Sequence, residues 1–78
     1  MADVILPELA NGVEKAKVSF WHFDLGEEVS EGDDLVEVLT DKATFNVPAP
    51  ASGKLKNILA KEGQEVKVGD VIATIEEA

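Results

Sequence analysis

Gly26-Glu27-Glu28-Val29-Ser30-Glu31-Gly32-Asp33-Asp34-Leu35 and Gly63-Gln64-Glu65-Val66-Lys67-Val68-Gly69-Asp70-Val71-Ile72 follow one pattern, written twice at an offset of 37 positions. Outside these segments the same offset matches Val18 with Leu55, Trp21 with Ile58 and Val38 with Ile75. Each copy reads strand, then x-Gly-x-x-Val-x-x-Gly-Asp, then strand. Paired glycines at matching places need a backbone cause, and the simplest is a positive-φ turn at each, which glycine adopts without steric cost. The spacing therefore predicts quasi-twofold symmetry. Two copies are too few for a solenoid, so the halves should interlock around one small core.

Short strand signals surround these turns at Val4–Leu6, Ala16–Phe23, Leu35–Thr40, Thr44–Val47, Lys54–Leu59 and Val71–Ile75, each bounded by Gly, Pro, Asn or Asp. Short, evenly spaced strands predict an all-β sandwich or barrel. No stretch repeats its apolar residues at helical spacing for ten residues, so essentially no helix is expected. In Leu35–Thr40 the alternation fails if Leu35 also points inward, which predicts a bulge or partial burial of both faces.

At 78 residues the chain is read as one domain, 1–78, with no cysteine to staple it. Sixteen acids face seven lysines and no arginine, a formal charge of −9. That balance argues against nucleic acid or an anionic membrane as partner. No apolar run approaches a membrane span, and Met1–Leu9 lacks the make-up of a signal peptide. The expected location is the cytoplasm, or the mitochondrial matrix in a eukaryote. The acidic excess reads first as a solvated surface. From Val18 to Gly53 the one Lys or Arg is Lys42.

Lys42 lies in Thr40-Asp41-Lys42-Ala43, between two strand signals, where the repeat maps the other copy onto the end of the chain. The absence of Gly argues for a type I turn over a mirror-image one. The turn should hold Lys42 at a rigid, exposed corner far from the termini. An ordinary exposed amine is protonated at neutral pH and is no nucleophile, and no pocket is apparent to change that. A lysine acylated by a separate enzyme needs only exposure and fixed geometry. No nucleophile–base pair, metal cluster or phosphate loop suggests an enzyme. His22 lacks a second ligand, and Trp21, Phe23 and Phe45 read as core or face-covering residues. Phe20 and His22 are placed on the opposite face as a small contact patch. Asp33 and Asp34 are expected to cap or solvate their turn, and Pro48 and Pro50 to stiffen the exit from the lysine hairpin.

The segment Glu37-Val38-Leu39-Thr40-Asp41-Lys42-Ala43, with Val47-Pro48-Ala49-Pro50 and Gly53 after it, closely resembles the lipoylation segment of lipoyl domains. Leu6-Pro7-x-Leu9, Trp21 before Gly26, Val29-x-Glu31-Gly32-Asp33 and Glu62-Gly63-x-x-Val66 extend the resemblance over nearly the whole chain. It implies a flattened barrel of two four-stranded antiparallel sheets, with lipoic acid amide-linked to Lys42 and Thr40, Asp41 and Ala43 read as part of the turn. It implies a non-catalytic carrier, monomeric alone, that serves a thiamine-dependent 2-oxo acid decarboxylase (E1), an acyltransferase core (E2) and dihydrolipoamide dehydrogenase (E3). A lipoate-attaching enzyme is the further partner, and Leu9, Ala10, Asn11 and Gly12 form the implied partner loop. Ala10-Asn11 and Leu39 depart from the usual Gly-Glu and acidic residue. Related biotinyl domains place Met on both sides of their lysine, which makes biotin the alternative; an unmodified interaction module is the third. Such domains usually continue into a linker, a subunit-binding domain and a catalytic core, so an excised N-terminal domain is expected.

Overall fold

In the computed structural model, which describes residues 1–77, eight strands form two four-stranded sheets. They are β1 (Ala2–Ile5), β2 (Lys15–Trp21), β3 (Glu28–Val29), β4 (Asp34–Leu39), β5 (Thr44–Pro48), β6 (Gly53–Ile58), β7 (Glu65–Lys67) and β8 (Val71–Glu77). One sheet has the order β1-β8-β6-β3, the other β5-β4-β2-β7, and every pairing is antiparallel. The body measures 35 × 21 × 17 Å. No helix among the described residues is long and apolar enough to cross a membrane.

The twofold pattern extends to individual hydrogen bonds. The N–H of Gly26 donates to Leu55 O and that of Gly63 to Val18 O; the N–H of Gly32 donates to Ala49 O and that of Gly69 to Leu6 O. Asp33 and Asp70 each accept from the backbone N–H three residues earlier, at 2.9 Å in both turns. All four glycines have positive φ, from 86° to 96°, as the repeat requires. Each half lends one short strand to the other: β3 pairs with β6, and β7 with β2. These two strands lie inside segments that the repeat alone reads as turns. They are only two and three residues long, too short to show a period, although their valines, Val29 and Val66, are buried.

The expected irregularity at Leu35 is present. Between β4 and β5 the register shifts from Asp34↔Pro48 to Val36↔Val47, so one β4 residue is extra and both Leu35 and Val36 are fully buried. The twofold repeats this at Ile72 and Ala73, where β8 meets β1. A second pair of bulges lies in β2, between Val18 and Phe20, and in β6, between Leu55 and Asn57.

The core is aliphatic. Val4, Leu6, Val18, Leu35, Val36, Val38, Val47, Leu55, Ile72 and Ile75 are essentially inaccessible to solvent, and no polar or charged residue is buried among the described residues. Each such side chain contributes about 1.5–3 kcal/mol relative to exposure. Trp21 is half-buried and donates its indole N–H to Ala60 O at 2.8 Å, so it ties the end of β2 to the segment after β6. On the exposed face Lys56 and Glu76 pair at 3.0 Å. The hydrogen bond from Lys56, and then its charge, hold the Glu76 carboxyl below its ordinary value.

Two substitutions probe this frame. A Cβ at Gly53 would press into the carbonyl of Glu76, whereas one at Gly63 meets nothing within 4 Å but sits at φ 86°. Gly53→Ala is therefore expected to cost about 1–3 kcal/mol through overpacking and to spread β6 from β8, while Gly63→Ala costs only its backbone strain. Thermal unfolding should rank Gly53→Ala below Gly63→Ala. Trp21→Phe, which removes the bond to Ala60, should cost about 1 kcal/mol, a fall of about 4–8 °C in Tm.

Candidate functional site

The hairpin between β4 and β5 ends on the pair Leu39↔Thr44. The N–H of Thr40 donates to Ala43 O at 2.9 Å, and the Thr40 hydroxyl donates to the same carbonyl at 2.8 Å. The same hydroxyl oxygen accepts from the N–H groups of Lys42 and Ala43, both at 3.1 Å. Thr40 thereby closes the turn with its side chain as well as its backbone. Among the described residues none other than glycine has positive φ, so a mirror-image turn is absent here, in line with the lack of Gly. Asp41, Lys42 and Ala43 are all exposed.

The Lys42 ammonium donates to the carbonyl of Asn11 at 2.6 Å. Asn11 belongs to the connection between β1 and β2, where the N–H of Val13 donates to Ala10 O across a turn that holds Gly12 at φ 80°. A Cβ on Gly12 would stand 3.5 Å from Lys42 Nζ, an ordinary contact, so what calls for glycine here is the φ of 80°. Of the residues read as a partner loop, Asn11 and Gly12 reach the lysine. Ala10 holds the turn, and Leu9 is half-buried and packs against the core. A groove of about 270 Å³ runs beside the turn, between this loop and Leu39, Thr40 and Asp41.

The site lies where the twofold fails. The offset is 37 for β2/β6, β3/β7 and β4/β8, but 43 for β1/β5, as Val4 and Val47 show. Between equivalent core residues, the span after β1 (Val4 to Val18) is thus six residues longer than the span after β5 (Val47 to Leu55). Those added residues form the loop that meets Lys42. The turn itself has no counterpart among the described residues, because the mirrored strands, β8 and β1, are the last and first in order and are not joined by a turn.

Other candidate residues lie elsewhere. His22 and Phe20 form an edge-to-face pair, with centroids 4.8 Å apart, and His22 Nε2 lies 2.9 Å from Asn46 Oδ1. Both are exposed on the outer face of the Lys42 sheet. Asp33 caps its own turn by accepting from the N–H of Ser30, while Asp34 opens β4. Among the described residues, no group of three or more His, Cys, Asp or Glu side chains is placed to hold a metal ion. The contact of Lys42 with the backbone of Asn11 carries no side-chain signature; the longer first connection is the one trace it leaves in the sequence.

Comparison with known proteins agrees with this architecture. The family model described as biotin-requiring enzyme matches residues 2–75. The dihydrolipoyllysine-residue acetyltransferase component of the pyruvate dehydrogenase complex of Acholeplasma laidlawii is 39% identical over 70 residues, covering 90% of this chain and 13% of that protein. The dihydrolipoyllysine-residue succinyltransferase component of the 2-oxoglutarate dehydrogenase complex of Bartonella vinsonii subsp. berkhoffii is 42% identical over 74 residues, covering 95% and 18%. The chain thus spans less than a fifth of the length of either relative. Among solved structures, the lipoyl domain of the 2-oxoglutarate dehydrogenase complex of Azotobacter vinelandii superposes with a TM-score of 0.78 at 28% identity, covering 100% of this chain and 99% of that one. The Kluyveromyces lactis urea carboxylase matches with a TM-score of 0.80 at 28% identity, over 97% of this chain and 6% of the enzyme. With its interlocked sheets, its lysine hairpin and these relatives, the chain belongs to the biotin/lipoyl domain family, and its relatives include E2 components of 2-oxo acid dehydrogenase complexes.

Proposed function

We propose that Lys42 carries lipoic acid in amide linkage and that the domain works as a swinging-arm carrier, catalysing none of the steps it serves. The observation that supports this most directly is the placing of one exposed lysine on a hairpin closed by Thr40, at a corner that the other half of the molecule lacks.

The residues present fit such a group. The Lys42 amine is exposed, and its contact is a single backbone carbonyl. An amide at Nζ keeps one N–H, enough to satisfy Asn11 O. Thr40 fixes the direction in which the arm leaves, and a tethered group at a fixed origin is presented to successive partners at high effective concentration. Bound there, lipoate supplies a redox-active disulfide that takes up an acyl unit with two electrons and hands both on.

The partners of this reading are a thiamine-dependent 2-oxo acid decarboxylase (E1), an acyltransferase core (E2) that delivers to coenzyme A, dihydrolipoamide dehydrogenase (E3) and the enzyme that attaches lipoate. The cytoplasm or the mitochondrial matrix is the compartment that suits them. The relatives divide between pyruvate and 2-oxoglutarate complexes, so the proposal extends to the carrier role and stops short of one 2-oxo acid. Biotin is the second reading, kept by the description of the matched family. Asp41 and Ala43 beside Lys42, with relatives named for a dihydrolipoyllysine residue, favour lipoate.

Intact mass after expression with lipoate, biotin and both attaching enzymes tests the assignment. One lipoyl increment, lost in Lys42→Arg, is expected; a biotin increment, or none, would sink it. Moving the lysine to position 41 or 43 should abolish attachment while the far-ultraviolet spectrum is unchanged. Thr40→Val, which opens the turn, should slow attachment severalfold and cost about 1 kcal/mol of stability.

A further inference from the structure

Three exposed aliphatic residues, Ile5, Val71 and Leu59, stand at one end of the β1-β8-β6-β3 sheet. Ile5 pairs with Val71 across β1 and β8. Leu59, just past β6, donates its N–H to Ile72 O and so flanks the start of β8 from the other side. Their exposures are 49%, 40% and 54%. Aliphatic groups this exposed contribute little to the core they sit over.

The molecule contains its own control for what the backbone demands there. Its twofold maps Ile5, Val71 and Leu59 onto Pro48, Asp34 and His22. The mirrored bonds are present: Asp34 pairs with Pro48, and the N–H of His22 donates to Leu35 O. The same backbone thus tolerates a proline, a carboxylate and an imidazole, and the fold does not require aliphatic side chains at these positions. The two trios differ in where they lie. Ile5 leads directly into the long connection whose Asn11 meets Lys42, which puts the aliphatic trio at the Lys42 pole. Pro48 ends the strand that runs away from Lys42, which puts the mirrored trio at the opposite pole.

We propose that Ile5, Leu59 and Val71 form an apolar docking platform for the acyl-donating enzyme that charges the arm on Lys42. The inference rests on the carrier reading above. The platform is on the sheet that does not bear Lys42, so a partner that reads only the hairpin turn gains nothing from it. A partner that must draw a long arm into a deep site brings its rim down on the whole pole, and the platform, the loop at Asn11 and the turn then form one continuous contact. The complementary surface is an apolar socket bordered by basic side chains. Asp70, next to Val71 in the chain, and Glu8, three residues past Ile5, are exposed, and the chain carries a formal charge of −9, which steers a basic rim toward it.

The test uses Leu59→His with Val71→Asp, the residues that the other half carries at the mirrored positions, with Leu59→Gln alone as a milder second variant. Each domain is lipoylated, checked by intact mass and thermal unfolding, and offered to decarboxylases for pyruvate, 2-oxoglutarate and branched-chain 2-oxo acids. Free lipoamide monitors each enzyme separately. With the decarboxylase that charges the unchanged domain best, kcat/KM for reductive acylation should fall about tenfold or more in the double variant, chiefly through KM, while lipoylation stays complete. The opposite exchange at the far pole, His22→Leu with Asp34→Val, should leave kcat/KM within twofold. An unchanged kcat/KM in folded, lipoylated variants would overturn the platform alone, as would a loss confined to lipoate attachment. An unchanged domain that takes no lipoyl group would overturn the carrier reading and the platform with it.

Discussion

The exchange of two short strands between halves is the constraint on which the rest depends. The sheet built mainly from β6 and β8 is completed by β3, and the one built from β2 and β4 by β7. Neither half can satisfy its backbone alone, because the bonds from Gly26 to Leu55 and from Gly63 to Val18 each cross from one half to the other. A chain with no cysteine thereby gains a single cooperative unit. The aliphatic core is assembled between faces that must form together, and the bulges at Leu35 and Ile72 turn two consecutive residues inward on each side.

How much of this was legible follows from what each feature asks of its residues. Positive φ asks for glycine, so the four turns could be read at Gly26, Gly32, Gly63 and Gly69. Buried alternation asks for aliphatic residues, so the six longer strands were visible with ends shifted by one or two positions; Phe23, for example, falls outside β2. β3 and β7 were missed because two or three residues hold no period, and what marks them as strands is pairing with a partner more than twenty residues away. The bond from Trp21 to Ala60 spans 39 positions and uses a carbonyl that any residue would supply. Asn11 was picked out by resemblance to a loop, yet it meets Lys42 through its backbone, where its identity leaves no mark. The double role of the Thr40 hydroxyl likewise depends on a turn geometry that only coordinates reveal.

Symmetry also separates what serves the fold from what serves the site. Wherever the two halves agree, in the glycine turns, the aspartate caps and the bulges, the agreement is explained by backbone need. They disagree in the length of the first connection, the passage of the chain through Thr40–Ala43, and the side chains at Ile5, Leu59 and Val71, as well as at surface positions elsewhere, such as Leu25 against Glu62 and Phe20 against Asn57. The first three of these fall at one pole, while the folding devices are shared evenly between both. The residues argued to serve the arm thus lie among the asymmetric features of a largely symmetric scaffold.

The elongated outline has a consequence for motion. A body of 35 × 21 × 17 Å with Lys42 at a pole tumbles anisotropically. Spin about the long axis leaves that pole nearly in place, whereas end-over-end rotation, the slower mode, carries it through the widest arc the domain can describe. Any group fixed at the pole therefore explores space on two levers, its own length and half the length of the domain, and the stiffness given by Thr40 couples the first to the second.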